Sequence, residues 1–308
     1  MTAFRAGGAH SLVKVLPGAV DPLRLFAALS GDGAADHAFL LESADAHQRN
    51  AVLSLGCAKP VLLLEGRGRE WSLRALEPRG RGLLQAFRPG LAELCDLRDE
   101  DTAASLSLDE GDRQDGSASA DVPGDGPAVI SGRLPAPRHG LEERLRLLEP
   151  GPMDLLRVLQ GAFPLGGSPG FPPGGLFGAF AYDFVDCFES LPPNGEDDPD
   201  SVPDYHFVLA DRLFLIDHVH DRSVFVATMR GDSAEPSACP GFHEAQDWIR
   251  ASAEAASRAP ELPDLPSPPE LRDEDVVCDL DDTAFAGVVE EMKEHILAEG
   301  CLMGTYER

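Results

Sequence analysis

The segment GGLFGAFAYDFVDCFESLP at residues 174–192 is the longest stretch in which the residue choices look jointly constrained. Its glycines and alanines leave room for another backbone to approach closely, and its five aromatic rings can fill the remaining volume. We therefore predict that this segment lies in the interior, packed against a sheet or a helix.

Tyr182 and Asp183 place a phenol and a carboxylate among these apolar neighbours. A buried polar group costs about 1–3 kcal/mol unless it finds a partner, so the pair is either catalytic or structural. A strand over 175–181, with Asp183 as the N-cap of a following helix, favours the structural interpretation.

Composition limits the classes of partner and the compartment. The chain has 308 residues and carries 26 Lys+Arg against 53 Asp+Glu, a net charge of -27, which disfavours nucleic acid and anionic membranes as partners. No apolar run is long enough to span a membrane and residues 1–18 lack a signal-peptide pattern, which predicts a cytoplasmic protein. Six cysteines without a C-x-x-C pair indicate reduced thiols rather than disulfides or zinc ligands.

The first hundred residues predict alternating helices and strands. Asp21 and Pro22 mark the start of a short helix. The run AFLLES at 38–43 is typical of a buried strand that ends at a sheet edge, where Glu42 and Ser43 can meet a ligand. A hairpin is predicted over 60–76, and a helix over 80–97 that is interrupted at Pro89.

Two segments are predicted to lie outside the folded parts. Residues 98–128 are acidic and nearly free of large apolar side chains, which predicts a disordered insertion, with an acidic interaction tail as the alternative. Residues 257–275 are rich in proline and predict an extended linker. These boundaries divide the chain into a domain over 1–256, the linker, and the beginning of a second domain over 276–308.

The remaining patterns predict a helix behind the Pro-containing turn near residue 151, strands over 205–216 and 223–229, and a surface helix over 242–256. His218 and His220, beside two aspartates in the turn between the strands, allow a metal interpretation, but a solvated turn is favoured. After the linker, Asp281 or Asp282 caps an amphipathic helix that ends near Gly300. The sequence stops at Arg308, which predicts an unfinished second domain.

Taken in order, six of these pieces resemble the large subunit, component I, of anthranilate synthase, a chorismate-utilising lyase. The matching motifs are LPGAVDPL, FLLESAD, ERL followed by MDLLRVL, GAFAYDFVDCFESLP, VPDYHFVLADRLFLIDH and FAGVVEEMKEHILAEG. The resemblance implies an α+β fold with antiparallel sheets and flanking helices. It also implies a role in tryptophan biosynthesis, Mg²⁺ as cofactor, and a glutamine amidotransferase subunit, component II, as partner.

The resemblance places the chorismate site, the magnesium ligands and the acid/base groups after Arg308, so we expect no catalytic or metal-binding residues in this chain and no turnover by it alone. It assigns feedback inhibition by L-tryptophan partly to Leu41, Glu42 and Ser43. A carboxylate suits the ammonium group of this ligand, and a hydroxyl suits its carboxylate. In relatives a lysine a little further along also helps, but the matching place in this chain is near Leu53, a departure that bears on the strength of inhibition.

Two alternatives stay open at this point. Aminodeoxychorismate and isochorismate synthases share the implied architecture, and they differ from anthranilate synthase in the product. The chain is alternatively a non-catalytic module that binds tryptophan or docks an amidotransferase.

Overall fold

The structure is a computed structural model that describes residues 8–42, 52–98, 128–136, 138, 142–146, 148–161, 171–188, 202–231, 233, 235–259, 261, 267, 272 and 277–299. The chain divides into two compact units, residues 1–261 and residues 262–308. The first unit contains both sheets.

Five antiparallel strands form the first sheet, which we call sheet A, in the order β1-β11-β10-β3-β2. The strands are β1 (Ala9–Pro17), β2 (Phe39–Leu41), β3 (Leu53–Cys57), β10 (Arg212–Asp217) and β11 (Arg222–Arg230). Sheet A buries apolar side chains on both faces, because β10 and β11 lie between other strands and are almost wholly inaccessible.

Six antiparallel strands form the second sheet, sheet B, in the order β6-β7-β5-β4-β9-β8. The strands are β4 (Leu62–Arg67), β5 (Glu70–Ala75), β6 (Asp96–Arg98), β7 (Val129–Arg133), β8 (Gly175–Phe180) and β9 (Tyr205–Ala210). In β5, the buried Trp71 and Leu73 alternate with the half-exposed Ser72 and Arg74, as the predicted hairpin requires.

Four longer helices cover the sheets of the first unit. They are α1 (Pro22–Ser30), α2 (Gly80–Leu94), α4 (Pro152–Gln160) and α5 (Phe242–Arg258); α3 (Glu143–Arg146) is a single turn. α1 and α5 pack on one face of sheet A, whereas α2 and α4 pack on sheet B. The α+β fold with antiparallel sheets and flanking helices is therefore confirmed.

The predicted start of α1 is also confirmed, since the Asp21 side chain accepts a hydrogen bond of 2.8 Å from the backbone N–H of Arg24. The predicted interruption of α2 at Pro89 is wrong. The helix continues through Pro89 because its apolar face, with Leu84, Phe87 and Leu91, is fixed in the core of sheet B.

The chain crosses between the two sheets at two places. β3 of sheet A continues through residues 58–61 into β4 of sheet B, and β9 of sheet B continues through Asp211 into β10 of sheet A. The backbone N–H of Val61 donates to the carbonyl of Leu209 over 2.8 Å, so the two crossings lie side by side.

Arg79, immediately before α2, forms hydrogen bonds to both crossings. Its guanidinium makes a two-pronged ion pair with Asp211 at 2.8 and 3.1 Å and also donates to the carbonyl oxygen of Lys59 over 2.8 Å. Both charged side chains are nearly inaccessible, at 13% and 9% exposed. Burial lowers the pKa of Arg79, but the carboxylates of Asp211, Glu77 and Glu244 together have a larger effect and raise the pKa overall.

Residues 174–188, the described part of the segment over 174–192, differ from the predicted interior position. β8 is the edge strand of sheet B, and its last three residues are exposed. A 3-10 helix, Tyr182–Cys187, follows, with Ala181 rather than Asp183 at its N-cap. Tyr182 is 73% exposed and Asp183 is also exposed, so the expectation of a buried pair is wrong. Because an edge strand pairs with another strand on one side only, the end of β8 and the 3-10 helix that follows it are exposed to solvent.

Close backbone approach, predicted for the same segment, is confirmed at Gly178. A Cβ atom built there would lie 2.0 Å from the carbonyl oxygen of His206 and 2.7 Å from the Cα atom of Phe207. Only glycine allows β8 to pair with β9 at this point.

The second unit contains α6 (Asp282–Glu299), whose first turn is capped by the Asp281 side chain through a 2.8 Å hydrogen bond from the N–H of Ala284. Among the described residues, no helix is long and apolar enough to cross a membrane. The five cysteines in the described ranges are free thiols. The predicted insertion over 98–128 and the linker over 257–275 lie almost entirely outside the described residues.

Candidate functional site

The residues assigned to effector binding lie where the edge strand β2 ends. Leu41 is the last residue of β2 and is 56% exposed, and Glu42 follows it and is also exposed. Ser43 lies outside the described residues. Two of the three assigned side chains are therefore accessible to a small molecule at this edge of sheet A.

An apolar surface extends from Leu41 across the neighbouring strand. Leu41 pairs with Leu55 of β3, and Leu53 lies two residues before Leu55 and hence on the same face. Leu53 is 39% exposed. This face also carries Phe39, whose ring lies 4.6 Å from that of Phe177 in β8. Leu41 and Leu53 thus form the solvent-exposed end of an apolar surface whose inner end is the contact between Phe39 and Phe177.

Polar side chains fix the adjacent ends of β3 and β10. The buried Ser54 hydroxyl lies 2.8 Å from Nε2 of His218, and the N–H of His218 donates to the carbonyl of Val52 over 3.1 Å. Ser54 is inaccessible, so this contact holds the strand ends together rather than presenting a nucleophile.

The turn after β10 is organised by one carboxylate. Asp217 accepts from the backbone and ring N–H of His220 at 3.0 and 2.9 Å, and from Arg222 at 2.8 Å. Burial raises the pKa of Asp217, but these hydrogen bonds lower it to about 2. His218 therefore contacts Ser54, whereas His220 contacts Asp217. Both histidines form hydrogen bonds within and beside this turn.

A second polar cluster lies at the other end of β2, and the sequence did not reveal it. The ring of His37, just before β2, lies 5.7 Å from the ring of His206 in β9. Nδ1 of His206 is 3.1 Å from the carboxylate of Glu65 in β4. This hydrogen bond lowers the pKa of Glu65, although burial opposes it, and burial is the main reason that the pKa of His37 is lowered. The three residues come from distant segments, so no local spacing indicates that they meet.

The known proteins with similar sequences that are described below are all anthranilate synthase component 1 proteins. The chain is 29% identical over 287 residues to anthranilate synthase component 1 of Vibrio cholerae serotype O1, covering 92% of this chain and 46% of that protein. The Salmonella typhimurium component 1 is 29% identical over 280 residues, 90% of this chain and 46% of that protein.

The pyocyanine-specific component 1 of Pseudomonas aeruginosa is 26% identical over 260 residues, which cover 84% of this chain and 42% of that protein. No family model matches the sequence. The chain spans a little under half the length of the curated relatives it matches.

These relatives match about nine-tenths of this chain, whose architecture mixes helices with antiparallel strands. Over most of its length the chain is therefore similar in sequence to anthranilate synthase component I.

Proposed function

We propose that this chain is the regulatory part of an anthranilate synthase component I and that it binds L-tryptophan through Leu41, Glu42 and Ser43. The complete protein would convert chorismate and ammonia or glutamine to anthranilate and pyruvate. The observation that carries the proposal is the position of Leu41 and Glu42, both exposed at the end of an edge strand and beside an apolar face.

The chemistry of the three side chains suits an amino acid with an aromatic side chain. The Glu42 carboxylate can accept charge-assisted hydrogen bonds from an ammonium group, and the Ser43 hydroxyl can donate to a carboxylate. Leu41 and Leu53 offer exposed apolar surface to an indole ring.

The residue at position 53 should affect how strongly the chain binds tryptophan. A lysine at this place would add a cation for the ligand carboxylate, whereas leucine adds only apolar area. We therefore expect weaker feedback by tryptophan here than in a relative that carries lysine.

Calorimetry with L-tryptophan on the complete 308-residue chain tests this assignment. A charge-assisted hydrogen bond contributes about 1.5–3 kcal/mol, so Glu42→Gln should weaken binding about tenfold or more, and Leu53→Lys should strengthen it. Glu254→Gln, on the exposed surface of α5, is the matched control and should leave binding unchanged. If the native chain gives no heat, or if Glu42→Gln binds as well as the native chain, the assignment is wrong.

We further propose that turnover of chorismate depends on Mg²⁺ and on a component II subunit in the complete protein. The described residues contain no group of three or more His, Cys, Asp or Glu side chains that fits a metal ion. An assay of this chain with chorismate, magnesium and ammonia should give no anthranilate; sustained production would overturn the proposal.

A free-standing tryptophan-binding module is the second candidate. The compactness of residues 1–261, with their own hydrophobic clusters, favours it. In that case the chain should fold alone and unfold in one cooperative thermal transition, and tryptophan should raise the midpoint temperature of that transition. The chain should also bind tryptophan without stimulating any amidotransferase.

A further inference from the structure

A polar cleft of about 1090 Å³ opens beside the crossing between the two sheets. Three segments line it: residues 34–37 before β2, residues 58–60 between β3 and β4, and residues 74–77 after β5. Because β2 runs from Phe39 to Leu41, this cleft is at the opposite end of the strand from Leu41 and Glu42. The cleft is therefore separate from the proposed tryptophan site.

Two basic side chains that have no ion-pair partner among the described residues line this cleft. Arg74 and Lys59 both line it, and within the described part of the chain neither side chain has an ion-pair partner within 4 Å. Of the acidic groups, Glu77 in the lining is already paired with Arg79 at 3.1 Å, and Asp36 also lines the cleft. Glu65, in the neighbouring strand β4, is close enough to Arg74 to interact with its charge, but its carboxylate already lies 3.1 Å from Nδ1 of His206. In a chain with a net charge of -27 and only three lysines, two such cations in one cleft indicate an anionic ligand.

His37 adds a third donor to the same cleft. Its backbone has a φ of 59°, a left-handed conformation that residues other than glycine rarely adopt. His37 lines the cleft, and its ring lies 5.7 Å from that of His206. A neutral imidazole carries one N–H that can donate to an oxyanion.

We propose that this cleft binds a small phosphate-bearing anion, held by Arg74 and Lys59 with His37 as a third donor. An arginine can contact two phosphate oxygens at once, and a lysine contributes a compact charge. The mainly polar lining favours a highly hydrated, multiply charged ligand over the apolar ligands that fill typical pockets. This inference does not depend on the proposed function.

The test is calorimetry of the complete chain with pyrophosphate at low ionic strength, where charge pairs are least screened. Arg74→Gln and Lys59→Gln should each weaken pyrophosphate binding about tenfold or more. Lys14→Gln, an exposed lysine on the edge strand β1, is the matched control and should bind as the native chain does. Unchanged thermal midpoints for the three variants will show that each one folds.

Three results would overturn the proposal: no heat with pyrophosphate, equal loss in the Lys14→Gln control, or equal affinity for succinate, which would show a carboxylate site. Lysine acetylation provides an independent readout, because mass spectrometry can resolve all three lysines. Pyrophosphate should slow the acetylation of Lys59 at least fivefold and leave that of Lys14 unchanged; equal rates at Lys59 with and without pyrophosphate contradict the site.

Discussion

At the scale of single residues, two ionisable side chains at strand ends, Asp217 and His37, lie in opposite electrostatic environments. Asp217 at the end of β10 is 7% exposed and receives hydrogen bonds from both His220 and Arg222. His37, in contrast, is held with its pKa lowered, mainly by burial. The first environment favours a charged side chain and the second favours a neutral one.

Asp217 should make stability depend on pH in the acid range. Its pKa of about 2 in the folded chain is below the value of about 3.9 for an unfolded chain, so its contribution is present above pH 4 and is lost as pH falls through 2. Asp217→Asn should therefore be less stable than the native chain in urea at neutral pH, and the difference should shrink below about pH 4. A carboxyl titration by NMR that gives Asp217 an ordinary pKa would contradict this account.

At the scale of elements, β8 shows how an edge strand can depend on a single glycine. Gly178 faces the backbone of β9 so closely that any side chain must push the two strands apart. Gly175, at the start of the same strand, has its nearest neighbour, an atom of the Phe177 ring, at 3.5 Å. The two glycines therefore have different roles in one strand.

Gly178→Ala should destabilise the first unit by about 1–3 kcal/mol, the usual cost of forcing extra volume into a packed site. Gly175→Ala is the control within the strand and should be nearly neutral, because its Cβ would make only ordinary contacts. Urea unfolding followed by tryptophan fluorescence measures both variants. Equal stability of the two would show that β8 moves away from β9 at little cost.

At the scale of the whole first unit, the two sheets are joined by adjacent crossings that one arginine fastens. Arg79 contacts Asp211 at one crossing and the Lys59 carbonyl at the other. Breaking a buried ion pair leaves a charge without a partner, which costs more than losing an exposed pair.

Arg79→Ala should destabilise the first unit by about 3–5 kcal/mol, because Asp211 would stay buried without its partner. Arg157→Ala removes a pair of similar length in α4 whose arginine is 62% exposed, and it should cost about 0–1 kcal/mol. Thermal unfolding of both variants gives the comparison. If both cost less than about 1 kcal/mol, the two crossings do not depend on Arg79.

The sequence by itself determined the features that rest on neighbours a few residues apart. Asp21 and Pro22 predict the start of α1, and alternation in β5 predicts its buried face, because caps and strand faces depend on contacts within about four residues. The resemblance to anthranilate synthase component I could also be seen in the sequence, because each of its motifs is a short continuous stretch of residues. The assignment of Ser43 to effector binding stays a prediction.

Only the tertiary structure decided which sheet each strand joins and which distant side chains meet. β9 and β10 are consecutive in sequence, yet they belong to different sheets, and Arg79 meets a residue 132 positions away. The exposure of Tyr182 and the contact of His37 with His206 likewise follow from strand order. Such contacts depend on how the sheets pack, and no spacing along the chain records this packing.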